Sequence, residues 1–222
     1  MLSYEQHAGR GQQAAIWLSN PGENLLLSII YYPRFLPTTS IFLLNKIASL
    51  AVASTVDHFL STSLTVQNST KPLVQIKWPN DILVNGQKIA GILIENQLSS
   101  NRVETSVIGI GLNVNQTYFP STFARPAVSL NLLTGEKYAL ETVLVDLLEE
   151  LEKWYLLAKT GSISKLDKDY LQKLYCYQEW SNFEDANGTF QGMIIGVDRD
   201  GKLAVQRENK LTYYDLKEIA FV

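Results

Sequence analysis

Asn24 to Tyr32 is a nearly continuous apolar run closed by Pro33, the pattern of a strand buried on both faces. From Thr39 to about Leu60 the period becomes helical, with Phe42, Leu43, Ile47, Leu50, Ala51, Ser54 and Val56 on one apolar band. Pro37 and Thr38 supply a start for that helix. Ser61 to Pro72 is a Ser/Thr-rich connector without periodicity. Val74 to Lys77 and Ile82-Leu83-Val84 are short β-prone runs, and Asn85-Gly86 is a strong two-residue hairpin signal leading into a strand from Gln87 to Asn96. A turn near Ser99-Ser100-Asn101 leads to a strand from Glu104 to Asn115. The loop from Gln116 to Ser129 carries Pro120, Pro126, Tyr118, Phe119, Phe123 and Arg125, and loops of this length are often functional. A second helix spans about Leu140 to Lys159. Its expected buried stripe is Leu144, Leu147, Leu148, Leu151, Trp154 and Tyr155, with Gly161 as its stop. Ser164 to Tyr175 reads as a shorter helix.

After Trp180 the texture changes. Phe190 to Val197 and Leu203 to Val205 flank the turn signal Asp200-Gly201, and Thr212 to Tyr214 and Ile219 to Val222 follow. This tail is too small to stand comfortably alone, so it is expected to be a compact β-barrel docked on the rest. The whole is expected to be α+β, with domains at 1–180 and 181–222.

Composition narrows the function. A chain of 222 residues with 46% hydrophobic content can bury a proper core. A net charge of −3, with no Lys/Arg run, speaks against nucleic-acid binding, which needs basic excess to replace phosphate counterions. The single cysteine, Cys176, cannot build a disulfide framework and suits a reducing compartment. Met1 to Gln6 has no signal-peptide pattern, and no apolar run is expected to reach the roughly 20 residues of a membrane span. A soluble, cytoplasmic protein is expected.

The richest chemistry lies in Lys77-Trp78-Pro79-Asn80-Asp81 and Gln87-Lys88-Ile89-Ala90-Gly91. With Asn85-Gly86 as the loop, Val84 pairs with Gln87, Leu83 with Lys88 and Asp81 with Ala90. Alternation then puts Asp81 and Lys88 on one face. Pro79 cannot donate to a ladder, so Trp78-Pro79-Asn80 marks where the preceding strand leaves the sheet. A converging lysine and aspartate suit phosphate handling, and equally a surface ion pair of little energetic worth. In Gln6-His7-Ala8-Gly9-Arg10-Gly11-Gln12, two glycines flank a guanidinium that could fork onto a carboxylate or phosphate; an ordinary turn reads the same way. Gly109, Gly111 and Asn113 share a strand face, cleared either for a flat ligand or for close helix packing. No helix start follows, so this is not a dinucleotide fingerprint. His7 and His58 lack partners at metal-ligand spacing. No Gly-x-Ser-x-Gly elbow exists, Cys176 reads as packing, and Glu149, Glu150 and Glu152 read as a solvated helix face. Trp154 and Trp180 are expected in the core, while Trp17 is either core or cover for a ligand.

Taken in order, these motifs resemble the biotin protein ligases over nearly the whole chain. The resemblance is carried by Gln6-x-x-Gly9-Arg10-Gly11, Trp17, Gly22-x-Asn24-Leu25, Lys77-Trp78-Pro79-Asn80-Asp81, Lys88-x-x-Gly91-x-Leu93-x-Glu95, Gly109-x-Gly111-x-Asn113 and the β tail. It implies a mixed sheet flanked by helices, like that of class II aminoacyl-tRNA synthetases, and an SH3-like C-terminal barrel. It also implies attack of biotin on Mg-ATP to give biotinyl-AMP, then transfer to a lysine of a carboxylase's biotin carboxyl carrier domain. Lys88, Arg10 and Asp81 would be catalytic. Gln6, Gly9, Arg10, Lys88 and Gly91 would bind biotin. Arg10, Gln12, Trp17, Asn80, Lys88 and Asn113 would bind ATP or the adenylate, with Mg²⁺ carried by the nucleotide near Asn80 and no side-chain metal motif.

The family pattern has about 35 further residues upstream, a strand and a helix with a Ser-Thr-Asn element that contacts biotin, and nothing here matches them. Where the family loop continues with a second arginine and a glycine, this chain has Gln12-Gln13-Ala14-Ala15, which implies weaker retention of biotinyl-AMP. No helix-turn-helix module is matched, so DNA is not an expected partner; a homodimer is implied by the family. The rival readings are a lipoate or octanoate transferase on the same fold, which lacks the Lys-Trp-Pro-Asn-Asp run, and a degenerate, non-catalytic biotin-binding protein.

Overall fold

The computed structural model describes residues 1–6, 9–11, 16–67, 72–121, 125–208 and 210–222, apart from the side chains of 10, 16, 64 and 67. The first half of the chain builds β1 (Leu2–Ser3), a two-stranded ribbon of β2 (Gly9–Arg10) and β3 (Ile16–Trp17), and the apolar strand β4 (Asn24–Tyr31). A 3-10 turn at Thr38–Ser40 precedes α1 (Leu43–Thr62) and the short α2 (Leu64–Gln67). Then come β5 (Val74–Lys77), β6 (Asp81–Val84), β7 (Gln87–Ser99) and β8 (Arg102–Asn113). The main sheet has the order β1-β4-β8-β7-β6-β5 with antiparallel neighbours, and single parallel bridges join Lys88 to Ala127 and Ile76 to Leu174.

The Asn85-Gly86 turn forms as the residues dictate, both in positive φ. Val84 pairs with Gln87 and Leu83 with Lys88, but the register then shifts. Ile82 opposes Ala90 and Asp81 opposes Gly91, so the expected Asp81–Ala90 pair is corrected by one residue. A β-bulge absorbs the extra residue at Ile89 and bends β7. Asp81 and Lys88 still meet.

Helices cover one face of this sheet. α1 is the core helix, with Leu44, Ile47, Leu50, Ala53, Val56 and Leu60 all essentially inaccessible. Its burial runs round the helix instead of along the single expected band. This also corrects the expectation about apolar length. Thr38–Thr62 has the length and mean hydropathy (1.4) of a membrane span, but 67% of that window is buried inside the molecule, packed on strands and other helices. α4 (Leu140–Lys159) packs on α1, and its buried stripe runs Leu140, Val143, Leu147, Leu151, Trp154, Ala158. Leu148 is 43% exposed, so the stripe is rotated from the one expected. α5 (Ile163–Lys173) packs on α1, α4 and β5. Between the 116–129 loop and α4, where no element was expected, a one-turn helix, α3 (Leu130–Thr134), escapes the periodicity argument because one turn has no period. Its cap was legible: Ser129 Oγ accepts from Leu132 N at 3.2 Å, and Gly135 closes it at φ 76.

The tail forms a second sheet of β9 (Trp180–Asp185), β10 (Gly188–Val197), β11 (Leu203–Arg207), β12 (Lys210–Tyr214) and β13 (Ile219–Phe221), in the order β12-β11-β10-β9-β13. Its interior is Phe183, Phe190, Ile194, Leu203, Val205 and Tyr214. Trp180, expected in the core, is 58% exposed because it begins β9 on the outward side; Trp154 is buried as expected. The two sheets are tied at specific points. Trp78 is buried and its Nε1–H donates to the Gly201 carbonyl at 2.9 Å. A Cβ on Gly201 would lie 2.6 Å from the Phe42 ring, and φ at Gly201 is +97, so the turn requires glycine twice over.

Trp78 is therefore expected to hold the second sheet in place. Trp78→Phe, which loses only the hydrogen bond and some area, should cost about 1 kcal/mol. Trp78→Ala should cost about 3–5 kcal/mol through the cavity it leaves. Urea unfolding followed by far-UV circular dichroism checks both.

Candidate functional site

One cross-strand row organises the face of the main sheet opposite the helices. Ser3 pairs with Leu26, Leu26 with Gly111, Gly111 with Gly91, Gly91 with Asp81, and Asp81 with Lys77. Paired residues share a face, so the row runs polar, apolar, bare, bare, acidic, basic. All of it except Lys77 lines a cavity of about 650 Å³, together with Gln6, Gly11, Trp17, Asn80, Lys88 and Glu95.

The bare centre of the row is occupied from above by Trp17. A Cβ on Gly111 would meet the indole at 2.5 Å, and one on Gly91 would meet it at 3.0 Å. β3 carries Trp17 into place by pairing it with Gly9. A Cβ at Gly9 would stand 2.4 Å from the Trp17 carbonyl and 2.9 Å from Gln6 Oε1, so this glycine is needed for close approach. Trp17 Nε1–H is buried without a partner among the described residues. An unpaired buried donor in a cavity wall costs free energy unless a ligand accepts from it.

Lys88 Nζ and Asp81 Oδ1 are 2.6 Å apart, with side chains 31% and 19% exposed. The Lys88 ammonium also lies 5.7 Å from the Trp17 ring centroid. This pair is therefore no loose surface bridge; it stands in the wall of a cavity between an indole and a glycine floor. The Lys88 backbone is clamped on both sides by the 116–129 loop, donating to Pro126 O at 2.8 Å and accepting from Val128 N at 2.9 Å. Asn113 Nδ2 donates to Val128 O at 3.0 Å, so Asn113 braces the segment that braces Lys88. Asn113 does not line the main cavity; it is 3% exposed and its Oδ1 is buried without a partner among the described residues. The loop is anchored at its start by Asn24, which accepts from Val114 N at 3.0 Å and donates to Gln116 Oε1 at 2.6 Å.

Asn80 joins the site by its backbone and side chain together. Its carbonyl accepts from Ile92 N and its Nδ2 donates to Ile92 O, both at 2.9 Å. That leaves Oδ1 with no hydrogen bond among the described residues, in a residue that lines the cavity. Lys77 stands beyond Asp81 with its ammonium 4.6 Å from the Phe221 ring centroid. Burial lowers its pKa below the usual lysine value, Asp81 opposes that shift, and Arg125 and Lys88 add to it. Arg125 donates to the Gly86 carbonyl at 3.0 Å and lies over the Tyr175 ring.

The structure thus brings together Gln6, Trp17, Asn80, Asp81, Lys88 and Gly91, with Gly9 supporting Trp17 from behind. Arg10 is placed by its backbone in β2, but its side chain, His7 and Gln12-Gln13-Ala14-Ala15 lie outside the described residues. Ser3, Leu26 and Glu95 in the lining were missed as site residues. Strand register is the signal that finds them, because they recur at alternate positions on the strands flanking the glycines.

Comparison with known proteins follows the same outline. A model of the biotin/lipoate A/B protein ligase family matches residues 2–113. The bifunctional ligase/repressor BirA of Bacillus spizizenii is 33% identical over 212 residues, covering 94% of this chain and 61% of the relative. A biotin–[acetyl-CoA-carboxylase] ligase of Paracoccus denitrificans is 27% identical over 209 residues, covering 93% and 83%. Among solved structures, the biotin protein ligase from Aquifex aeolicus in complex with biotin and ATP superposes with a TM-score of 0.79 at 22% identity, covering 100% of this chain and 87% of that one, which shows a shared fold. The chain spans 61% of the length of the Bacillus relative. The match over residues 2–113, with the glycine row and the Asp81–Lys88 pair inside or beside it, places this chain in the biotin/lipoate A/B protein ligase family.

Proposed function

We propose that this chain is an ATP-dependent ligase that activates biotin as biotinyl-AMP and passes the biotinyl group to a lysine of a carboxylase's carrier domain. The observation that carries this reading is the Lys88–Asp81 pair at 2.6 Å beside the Gly91–Gly111 floor. Adenylation drives a carboxylate against a phosphate, two anions, so fixed positive charge must stand where they meet. Lys88 is held there by its backbone as well as its side chain. The bare floor lets the Trp17 indole lie flat against the sheet as a wall of the cavity, and its N–H has no partner among the described residues. Gln6 adds a polar group at the same wall, and Asn113, which would lie near the adenosine, braces Val128 behind Lys88. Arg10 would grip the adenylate phosphate, and Gln12 would lie beside it. The names of the relatives favour biotin over lipoate or octanoate.

In the first step a biotin carboxylate oxygen attacks the α-phosphorus and pyrophosphate leaves with the bonding electron pair. Lys88 compensates the charge that builds on both groups. As Lys88 turns to the new mixed anhydride, one oxygen of the Asp81 carboxylate is open to take the proton from the incoming lysine. That amine attacks the acyl carbon and AMP departs. Mg²⁺ would arrive on the ATP phosphates and neutralise them there, ordered beside Asn80.

Lys88→Ala is expected to lower biotin-dependent ATP–pyrophosphate exchange by about 10²–10³-fold; unaltered exchange would refute the assignment. Asp81→Asn should slow transfer from preformed biotinyl-AMP by about 10²–10⁴-fold, far more than it slows exchange. Gly111→Ala must push the Trp17 indole aside, so biotin should bind at least about tenfold more weakly by isothermal titration while the fold is kept. Because Gln12-Gln13-Ala14-Ala15 lacks the family's second arginine, biotinyl-AMP should dissociate faster than from the Bacillus relative, and a slow off-rate on purified protein would contradict this.

A further inference from the structure

Lys77 closes the cross-strand row, yet the mechanism above gives it no task. It is half-buried, directly opposite Asp81 across the β5–β6 pair, and therefore on the same face. It makes no ion pair of its own among the described residues. Its ammonium instead faces the ring of Phe221 at 4.6 Å, and Phe221 is itself held between Tyr175 at 5.7 Å and Phe183 at 5.3 Å, centroid to centroid. Around the Lys77 ammonium stand Asp81 from β6, Arg125 from the 116–129 loop, Lys88 from β7 and Cys176 after α5, while Asp81 and Lys88 line the cavity whose wall also holds Glu95. One carboxylate is thus shared by two strand lysines, and only Lys88 holds it at 2.6 Å.

That arrangement has a consequence if Lys88 leaves. A carboxylate with 19% exposure that loses its partner carries an uncompensated charge in a partly desolvated wall, which is unfavourable. A second ammonium on the same face, already stripped of much of its water, can accept it with little further desolvation. Its aromatic neighbour holds it poised without competing as an anion would.

We propose that Lys77 is a positioning residue that takes over Asp81 when Lys88 turns to the reacting phosphate, and that Phe221 on β13 sets its reach. This rests on the ligase reading for its kinetic part. The last strand of the second sheet then acts on the reaction through one aromatic ring.

The test separates the half-reactions. Lys77→Met should lower single-turnover transfer from preformed biotinyl-AMP about tenfold while lowering ATP–pyrophosphate exchange less, and Lys77→Arg should restore most of it. Phe221→Leu should fall between. In an Asp81→Asn background, Lys77→Met should add no further loss. Equal losses in both half-reactions, additivity with Asp81→Asn, or failure of arginine to rescue would overturn the proposal. A second measurement needs no substrate. The drop in urea midpoint caused by Lys77→Met should be larger in a Lys88→Met background than in the wild-type background, and should vanish when Asp81 is also Asn. An equal drop in both backgrounds would sink the partner exchange even in an active ligase. A wild-type protein without biotin-dependent exchange would sink the ligase reading, and the midpoint cycle alone would then decide the exchange.

Discussion

The opposition of Gly91 to Gly111 in the middle of the main sheet is the constraint on which the site depends. Two adjacent strands without side chains at one level leave a trough wide enough for an indole to lie at van der Waals distance from backbone. A side chain at either position would lift Trp17, and with it the ribbon of β2 and β3 that carries Arg10. The polar groups then have only one place to gather. Asp81 is the next residue along the row, and Lys88 reaches it from β7 because the bulge at Ile89 turns that strand. Apolar helix packing fills the opposite face, so the sheet is a rigid partition between core and site.

Electrostatics at the end of that row follow from the same geometry. A carboxylate between two lysines, with an arginine nearby, makes a local excess of positive charge in a chain whose net charge is −3. Such an excess draws anions by field and not by shape, and partial burial keeps it from being screened by salt as an open patch would be. The second sheet matters here through its last strand. Phe221 replaces water as the neighbour of the Lys77 ammonium, and Trp78 ties that sheet back to the strand end from which Lys77 projects. Fold and site are coupled at these two aromatic residues.

Much of this was legible in local sequence. Asn85-Gly86 specifies its turn because positive φ is tolerated there, and alternation then forces Asp81 and Lys88 to one face whichever residue opposes Asp81. The glycines of β8 and their cleared face could be read from their spacing alone. The exact partner of Asp81 could not, since a bulge is set by how two strands twist together and not by either strand's residues. Nor could the exposure of Trp180 or the rotation of the α4 stripe, which depend on what each surface meets. Asn113 shows the limit most plainly: its place on the strand was clear, but its bond to Val128, which braces Lys88, joins residues whose loop path no periodicity describes.

The sequence by itself determined which elements form, which residues share a strand face, and that a lysine and an aspartate converge beside bare backbone. Those are consequences of short-range geometry, of period two and of hairpin φ values. Only the tertiary structure decided that Trp17 is the roof of that backbone, that the burial of α1 extends beyond one band, and that Phe221 stands against Lys77. Each of these joins parts of the chain far apart in sequence, and such contacts are chosen by the packing of the whole core, where many apolar surfaces compete for the same burial.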